Sequence, residues 1–383
     1  MEQWKKYQLK DVTTLLGDGL HGTPKYDKNG TVFFINGNNL VDGKIEIKDS
    51  TKRVSEDEAN KYRKNLNHRT ILVSINGTIG NVAKYQGEAC ILGKSACYFN
   101  VAEDFDLNFI YYVVASQQFK NSIMHLATGT TIKNVSLETM RNYSFVAPSI
   151  NEQKRISSLL SSLDNKIDLN RRINDNLEQQ AQALFKSWFV DFEPFRGEKF
   201  VESQLGMIPK GWKVGTLFDL LDIRYGKDHK KLNDGNIPVY GSGGIMRLAD
   251  GILYNGESVL IPRKGTLNNV LYVNWPFWTV DTMFYSIEKV PNVAKYCHLL
   301  LSKLDLASMN SGSAVPSMTT DILNKIQVIV PNQNVFSSFN ECISSLYLKA
   351  KINLDENKRL SETRDLLLPK LMSGRLIIKD LHS

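Results

Sequence analysis

The chain repeats one segment at long distance, and this repeat constrains its fold more than any other feature. Residues 129–148 read GTTIKNVSLETMRNYSFVAP and residues 312–331 read GSAVPSMTTDILNKIQVIVP, so a stretch that begins at glycine and ends at proline returns 183 residues later. A repeat at about half the chain length predicts two copies of one structural unit rather than a single large core.

The 183-residue offset continues without a gap into the segment that follows each proline. Apolar residues and asparagines recur there at alternating spacings of four and three, the pattern of a coiled-coil seam. The seam positions are Ile156, Leu160, Leu163, Asn170, Asn174, Leu177, Leu184 and Trp188, matched by Phe339, Ile343, Leu346, Asn353, Asn357, Leu360, Leu367 and Leu371. We expect helices over residues 151–189 and 333–372, each ~60 Å long. They should form an antiparallel coiled coil in which the asparagines fix the register.

The parts before the helices match more loosely. Trp4-Lys5 and Asp11 resemble Trp212-Lys213 and Asp219 at an offset of 208, and residues 75–82 (INGTIGNV) resemble residues 263–270 (RKGTLNNV) at 188. Short β-type runs at 31–37, 70–75, 258–262 and 270–274 predict strands, and residues 107–118 and 294–304 predict short helices. The expected fold class is therefore α/β, with two repeated heads of mixed, mostly antiparallel sheet and pseudo-two-fold symmetry.

These patterns predict a division of the chain into six parts. They are a first head over 1–150, a spacer helix over 151–190, a linker over 191–211, a second head over 212–332, a second spacer helix over 333–373 and a tail over 374–383. Pro194 and Gly197 mark the end of the first helix.

Charge and composition narrow the possible functions. The net charge of +7 permits a polyanionic partner without requiring one. The four cysteines form no CxxC pair, which disfavours a disulfide scaffold or a zinc site. No apolar run is long enough to span a bilayer and the first residues resemble no signal peptide, so we expect a cytoplasmic protein.

Taken together, these pieces resemble the specificity (S) subunit of type I restriction-modification systems. Each half resembles a target recognition domain followed by a spacer helix, and the resemblance covers essentially the whole chain. The segments that carry it are GTTIKN (129–134), PSINEQKR (148–155), SWFVDFEP (187–194), LGMIPKGW (205–212) and residues 74–82. The second copy departs from the pattern at Asn334-Val-Phe, where the first has Asn151-Glu-Gln, and at Asn268, where the first has Gly80.

The resemblance implies a DNA-binding subunit that does no chemistry itself. Each head would read one half of an asymmetric bipartite site in double-stranded DNA. The helix pair would set the spacer and dock two methyltransferase (M) subunits. Where the system has them, two restriction (R) subunits would join the assembly. S-adenosylmethionine would belong to the M subunits, which methylate adenine at N6. We therefore expect neither a cofactor, a metal nor a catalytic residue on this chain, and no contact with a membrane.

Loop residues able to pair with bases or phosphates are the candidate DNA contacts, because Arg and Lys suit guanine and phosphate whereas Asn and Gln suit adenine. In the first head these are Lys25, Lys28, Asn36, Asn38, Asn39, Arg63, Lys64, Asn67, His68, Arg69, Thr130 and Lys133. In the second head they are Lys227, His229, Lys230, Lys231, Ser242, Arg263, Lys264, Asn268 and Asn269. For any one of them, ordinary solvated loop polarity is the competing interpretation.

A coiled-coil adaptor with two protein-binding heads would share the same pattern and is the main alternative. The recognition half of a single-chain restriction enzyme is disfavoured, because only residues 373–383 follow the second helix. An enzyme is disfavoured because no Asn-Pro-Pro-Tyr-like, Walker or HExxH motif is present, and Glu46-Ile-Lys48 with Asp27 is a weak nuclease signal without a counterpart in the second copy.

Overall fold

The computed structural model describes residues 4–129, 133–309 and 317–378. Its contacts group the chain into two compact units: unit 1 comprises Met1–Leu169 with Glu356–Ser383, and unit 2 comprises Asn170–Asp355. We call the part of unit 1 that precedes its first long helix head 1, and the part of unit 2 between the two long helices head 2. Unit 1 is therefore built from two separate stretches of sequence, whereas unit 2 is continuous.

Head 1 contains two small sheets and two strand pairs. Its strands are β1 (Lys5–Gln8), β2 (Thr13–Asp18), β3 (Val32–Ile35), β4 (Leu40–Val41), β5 (Lys44–Ile45), β6 (Arg53–Val54), β7 (Thr70–Ser74), β8 (Val82–Lys84), β9 (Cys90–Leu92), β10 (Ala96–Val101) and β11 (Ser144–Ala147). The sheet orders are β2-β10-β7-β8 and β6-β3-β9, and the strand pairs are β1-β11 and β4-β5. Short 3-10 helices cover Leu9–Val12 and Gly37–Asn39.

The helices of unit 1 are α1 (Glu56–Tyr62), α2 (Leu107–Ala115), α3 (Gln117–His125), α4 (Leu137–Asn142) and the first half of the long α5 (Ile150–Phe189). The single helix expected over residues 107–118 is wrong, because the backbone of Ser116 is extended and divides it. The Ser116 side chain then caps α3 by accepting a hydrogen bond from the Phe119 N–H.

Head 2 repeats the central architecture of head 1. Its unit contains β12 (Phe200–Ser203), β13 (Gly206–Pro209), β14 (Lys213–Thr216), β15 (Leu221–Tyr225), β16 (Ile237–Gly241), β17 (Gly244–Ala249), β18 (Ser258–Pro262), β19 (Leu271–Val273), β20 (Trp278–Thr279), β21 (Met283–Glu288) and β22 (Gln327–Val330). The helices are α6 (Leu217–Leu220), α7 (Ala294–Lys303), α8 (Thr320–Asn324) and the long α9 (Gln333–Met372), whose first half lies in this unit.

The strand registers follow the sequence repeat. Sheet β15-β21-β18-β19 has the same order as β2-β10-β7-β8, and β14 pairs with β22 as β1 pairs with β11. The partners Lys5–Ala147 and Lys213–Val330 are related by the offsets of 208 and 183. A three-stranded sheet β17-β16-β20 and the pair β12-β13 complete unit 2. Among the described strands, pairing is antiparallel except in β3–β9 and β16–β20, so the predicted mixed, mostly antiparallel class is confirmed.

The segment expected to be a linker carries structure of its own. Phe192 has a left-handed backbone (φ 52°) just beyond the end of α5, and a 3-10 turn covers Glu193–Phe195. The β12-β13 hairpin follows. The rings of Phe192 and Phe195 lie 5.7 and 4.9 Å from that of Trp212, so this segment packs on the start of head 2.

The long helices pack antiparallel within each unit. In unit 1 the Arg364 guanidinium donates to Asp164 at 2.7 Å, and in unit 2 the Asn353 side chain donates to Asn174 at 2.8 Å. Seven of the sixteen seam residues are buried, namely Ile156, Leu160, Asn170, Phe339, Ile343, Asn353 and Leu371. The other nine are partly buried.

The two cores differ in the side chains that the helices contribute. In unit 1 the helices add Ile156, Leu160 and Leu371 to the core beneath the four-stranded sheet. In unit 2 they add larger rings, since Phe185 and Phe189 pack on Tyr296 and Phe339 packs on Phe189. Each head is therefore anchored on the helix pair by its own apolar cluster.

Candidate nucleic-acid interface

A glycine-containing turn follows the strand at the same position of the main sheet in each head. We call residues 75–82, after β7, the head-1 turn, and residues 263–270, after β18, the head-2 turn. Gly77 (φ 72°) and Gly265 (φ 83°) both adopt the left-handed conformation that lets a tight turn close without a Cβ clash. The residues next to each glycine, Thr78 in head 1 and Lys264 and Thr266 in head 2, are exposed at the tip.

The described residues of the repeated segment, 133–148 in head 1 and 317–331 in head 2, form what we call the closing segment. In each head the closing segment is hydrogen-bonded to this turn. The Val135 N–H donates to the Ile75 carbonyl at 2.9 Å, and the Met318 N–H donates to the Arg263 carbonyl at 2.8 Å. Lys133 is exposed beside this junction in head 1, where Asn134 bridges to Asn76, whereas Thr130 lies outside the described residues. The two heads thus share one backbone arrangement around a turn whose side chains differ.

The three candidate amides at residues 36–39 have different surroundings. The Asn39 side chain is 4% exposed and donates to the Glu46 carbonyl and to Thr51, so it holds its own loop together. The Asn36 side-chain carbonyl accepts from the Ser95 hydroxyl at 3.0 Å. Asn38 alone of the three is exposed, and its main-chain carbonyl accepts from the Lys48 ammonium at 3.0 Å.

Three lysines that sequence reasoning missed lie around the head-1 turn. Lys48 contacts Asn38, and Lys94 precedes Ser95, whose carbonyl accepts from the Ile75 N–H. The stem of Lys120 lies 2.7 Å from the position that a Cβ would take on Gly80. With Lys133 they form a basic rim. Because the four lysines come from separate parts of the sequence, no motif could reveal them.

The candidates at residues 63–69 lie at the other end of β7, about 13 Å along the strand from the head-1 turn. Arg69 donates to the carbonyls of Val101, Ala102 and Phe105 at 2.8, 2.7 and 2.6 Å, so its guanidinium joins parts of the head's own chain. Arg63 pairs with Glu56, and the Asn67 side chain accepts from the Arg69 N–H. Lys64 and His68 are exposed.

Lys25 and Lys28 are exposed in the loop before β3. The Lys25 N–H donates to the Glu58 carboxylate of α1 at 2.8 Å, which ties this loop to the helix. That bond and the neighbouring Lys61 ammonium hold the pKa of Glu58 below its usual value. The loop is therefore placed by α1, and neither lysine is joined to the head-1 turn by a hydrogen bond of the described residues.

In head 2, Arg263 is held at the base of the turn. Its guanidinium lies 5.5 Å from the ring centroid of Tyr225 and donates to the Asp281 carbonyl at 3.1 Å. Lys264 is exposed next to it. A guanidinium that is stacked on a ring and hydrogen-bonded at one edge loses little freedom when its other edge binds an acceptor, so Arg263 is suited to bind a base edge or a phosphate.

The two amides of the head-2 turn are engaged within the head. Asn268 donates to the Asp305 carboxylate at 3.1 Å and accepts from the Ala307 N–H at 2.9 Å. Asn269 donates to the Ser242 carbonyl at 2.8 Å. Asn268 does not adopt the left-handed conformation of Gly80, its counterpart, so the second half of the turn differs between the heads.

The loop after β15 brings a further basic group to this region. The Lys227 N–H donates to the Thr279 carbonyl, and its own carbonyl accepts from the Trp278 ring N–H at 2.9 Å. Lys227 is exposed two residues after Tyr225, the residue on whose ring Arg263 stacks. Lys230 and Lys231 are exposed farther along the loop, and His229 is partly buried.

Within the part of the chain that the structure describes, no group of three or more His, Cys, Asp or Glu side chains is arranged to hold a metal ion. In the same residues, no helix is long and apolar enough to cross a membrane.

Comparison with known proteins agrees with these features. The family model of the type I restriction modification DNA specificity domain matches residues 1–179 and 209–353. The chain is 27% identical over 305 residues to the type I restriction enzyme MjaIX specificity subunit of Methanocaldococcus jannaschii, covering 71% of this chain and 70% of that one. It is 28% identical over 318 residues to a putative type I specificity subunit of Mycoplasma pneumoniae, covering 79% and 82%.

Among solved structures, the S subunit of a type I restriction-modification system from M. genitalium has the same fold. The TM-score is 0.54 at 21% identity, and the alignment covers 97% of this chain and 96% of that one. The family model matches well over half of the sequence, in two blocks that correspond to the two repeats. The chain therefore belongs to the family of DNA specificity subunits of type I restriction-modification systems.

Proposed function

We propose that each head of this subunit reads one half of an asymmetric, bipartite DNA site. The observation that carries the proposal is that the two turns share the left-handed glycine at Gly77 and Gly265 and the hydrogen bond at their base, yet present different side chains. Both turns follow equivalent strands and are bonded to equivalent closing segments, yet head 1 presents Asn76 where head 2 presents Lys264. Family members are non-catalytic, so the difference between the heads bears on which DNA is bound rather than on chemistry.

The chemistry around each turn favours different contacts. Head 2 presents a positioned guanidinium, Arg263, and the exposed ammonium of Lys264, which suit guanine or phosphate. Head 1 presents the Thr78 hydroxyl and the exposed Asn38 amide inside a lysine rim, together with the half-buried Asn76 amide, which donates to the Asn134 side chain at 3.4 Å. This set suits adenine edges, with the lysines on phosphates. Because the two turns carry different side chains, the two heads should bind half-sites of different sequence.

The sharpest test uses the repeat as its own control. Asn76→Ala and Lys264→Ala change equivalent positions of the two turns. Each variant is expressed with the methyltransferase subunit of the same system, and the methylated motif is mapped by sequencing that detects N6-methyladenine. We expect each substitution to relax or weaken one half of the motif, and a different half in each case. Loss of the same half in both variants would contradict the proposal.

Salt dependence separates the DNA-reading function from the adaptor alternative. For a subunit that neutralises phosphates with the lysine rim, the logarithm of the binding constant should fall linearly with the logarithm of salt concentration, with a slope of about one per phosphate contact. Lys133→Ala should lower the slope by about one without changing the motif. Salt-insensitive binding, or no DNA binding by the assembled complex, would favour a protein-binding adaptor.

We also propose that the helix pair docks methyltransferase subunits, two per complex, with restriction subunits joining where the system has them. Support comes from α9, where Leu348 and Ile352 are 59% and 46% exposed. Because they lie one helical turn apart, they share one face of the helix. Neighbouring exposed apolar residues on one helix face are typical of an interaction surface. The double substitution Leu348→Lys with Ile352→Lys should prevent co-purification of the methyltransferase.

The matched control for docking is Ser338→Lys, which adds charge at an exposed polar position of α9 that precedes Leu348 by ten residues, about 15 Å along the helix. It should leave co-purification intact, and neither protein should change its thermal midpoint by more than about 2 °C, because exposed positions contribute little to stability. Unimpaired docking of the double variant would show that the methyltransferase binds elsewhere.

A further inference from the structure

The hairpin of β16 and β17 ends in an exposed apolar tip. Ile245 and Met246, the second and third residues of β17, are 60% and 57% exposed. β17 is the edge strand of its three-stranded sheet. Large apolar residues on an exposed edge strand invite association unless a partner covers them, so their presence here calls for a specific contact.

This apolar tip lies directly beside the head-2 turn. The Asn269 side chain donates to the Ser242 carbonyl at 2.8 Å, and Ser242 is the residue after the end of β16. A Cβ on Gly265 would lie 2.8 Å from the Ser242 hydroxyl, so the two loops are in van der Waals contact. The cations Arg263 and Lys264 are consequently carried by the turn that contacts the loop of this hairpin.

The tip is held in place by its own backbone. Tyr240 and Gly241 of β16 are registered with Ile245 and Gly244 of β17, and Gly244 supplies the left-handed residue (φ 109°) that closes the hairpin. A Cβ on Gly241 would be 2.6 Å from the Met246 sulfur, so the Met246 side chain lies across Gly241. Apolar groups that are positioned before binding lose little freedom when a partner arrives.

The surroundings of the tip identify what covers it. The cations of the neighbouring turn favour a polyanion, but the side chains of Ile245 and Met246 have no donor for a phosphate. In the major groove, the apolar group that a base pair offers is the 5-methyl of thymine, whereas phosphates and the other base edges are polar. The side chains would bury this methyl while Arg263 and Lys264 hold the adjacent backbone or guanine.

We propose that Ile245 and Met246 read a thymine in the half-site bound by head 2 through its 5-methyl group. The inference deepens the proposed DNA-reading function and depends on it. Head 1 places the polar Asn38 near its turn, so this mode of reading belongs to head 2.

The test uses the complex of this subunit with its methyltransferase and duplexes that carry the motif mapped by methylation sequencing. Each thymine of the motif is replaced in turn by deoxyuridine, which removes only the methyl group. We expect one replacement in the head-2 half-site to weaken binding about fourfold, since a buried methyl contributes about that factor. Replacements in the head-1 half-site should have no such effect.

Protein variants connect that loss to the tip. Ile245→Ser and Met246→Ser should bind thymine and deoxyuridine duplexes equally. Ile252→Ser, at a 54% exposed apolar residue elsewhere in head 2, should retain the fourfold preference for thymine. All three change exposed residues, and unchanged thermal midpoints would show that the head remains folded.

The outcomes separate this inference from the proposed function. If the wild-type complex fails to bind its mapped duplex, the proposed function fails. If it binds but no deoxyuridine in the head-2 half-site weakens it, or if the tip variants keep the preference, only the thymine contact is overturned. Self-association that the tip variants abolish, without any dependence on thymine, would assign the edge strand to a second copy and overturn the inference equally.

Discussion

The buried amide pair in unit 2 allows a quantitative prediction about the helix seam. Asn353 is 1% exposed and donates to the Asn174 side-chain carbonyl at 2.8 Å, while Asn174 donates to the Ala350 carbonyl at 3.2 Å. Asn353→Ala removes one hydrogen bond and leaves the Asn174 carbonyl without that donor. An orphaned buried polar group costs about 1–3 kcal/mol. For a unit the size of Asn170–Asp355, 2 kcal/mol should lower the thermal midpoint by about 4–8 °C.

The measurement is a double-mutant cycle on chemical or thermal unfolding with Asn353→Ala, Asn174→Ala and both together. Because the two side chains are bonded to each other, the double variant should be less destabilised than the sum of the singles by at least ~0.5 kcal/mol. Lys349→Ala, at an exposed position of the same helix, serves as the control and should change stability by less than about 0.5 kcal/mol. Additive single effects would refute the claim that this pair acts as a unit in the seam.

Three further predictions concern the stability of each unit. Leu371→Ala should destabilise unit 1 by about 3 kcal/mol, because Leu371 is fully buried in its core; Leu366→Ala, 61% exposed, should have little effect, and equal effects would contradict this assignment. Arg69→Ala should destabilise head 1 by roughly 3 kcal/mol and leave the methylated motif unchanged, because its guanidinium binds three main-chain carbonyls; a changed motif would instead assign it to DNA. Burial lowers the pKa of His298 from 6.5 to about 4, against a hydrogen bond at Val270 that raises it. The unfolded chain then binds a proton that the folded chain excludes, so stability should fall by up to about 3 kcal/mol as the pH drops from 6.5 to 4, and His298→Gln should flatten that slope.

The elements that the sequence predicted well depend on periodicity over many residues. The helix expected over 333–372 is found as Gln333–Met372, and the one expected over 151–189 begins one residue earlier, at Ile150. Over forty residues a spacing of four and three is compatible with little else than a packed helix. The strands β7 and β18 were also predicted, because each is a short apolar run ending at a glycine turn.

Side-chain roles in the loops were less predictable, because they depend on contacts between distant segments. Arg69 and Lys133 look equally suited to phosphate in the sequence. In the fold, however, Arg69 meets the carbonyls of residues 101–105, whereas Lys133 is exposed beside the head-1 turn. The apolar tip at Ile245 and Met246 was missed for the opposite reason. Two apolar residues in a short β-type run are expected to be buried, and only the edge position of β17 exposes them.

The discontinuity of unit 1 has a consequence for the order of synthesis. Residues 356–372, which supply Leu371 to its core, leave the ribosome after the whole of unit 2. Unit 2 is continuous and brings its own first and last residues together, as the Asn174–Asn353 bond shows. Closing a flexible loop of that length would cost about 4–5 kcal/mol of chain entropy. If unit 2 folds first, it has already closed this loop. Residues 356–372 then complete the core of unit 1 as the continuation of a helix whose first half is already folded.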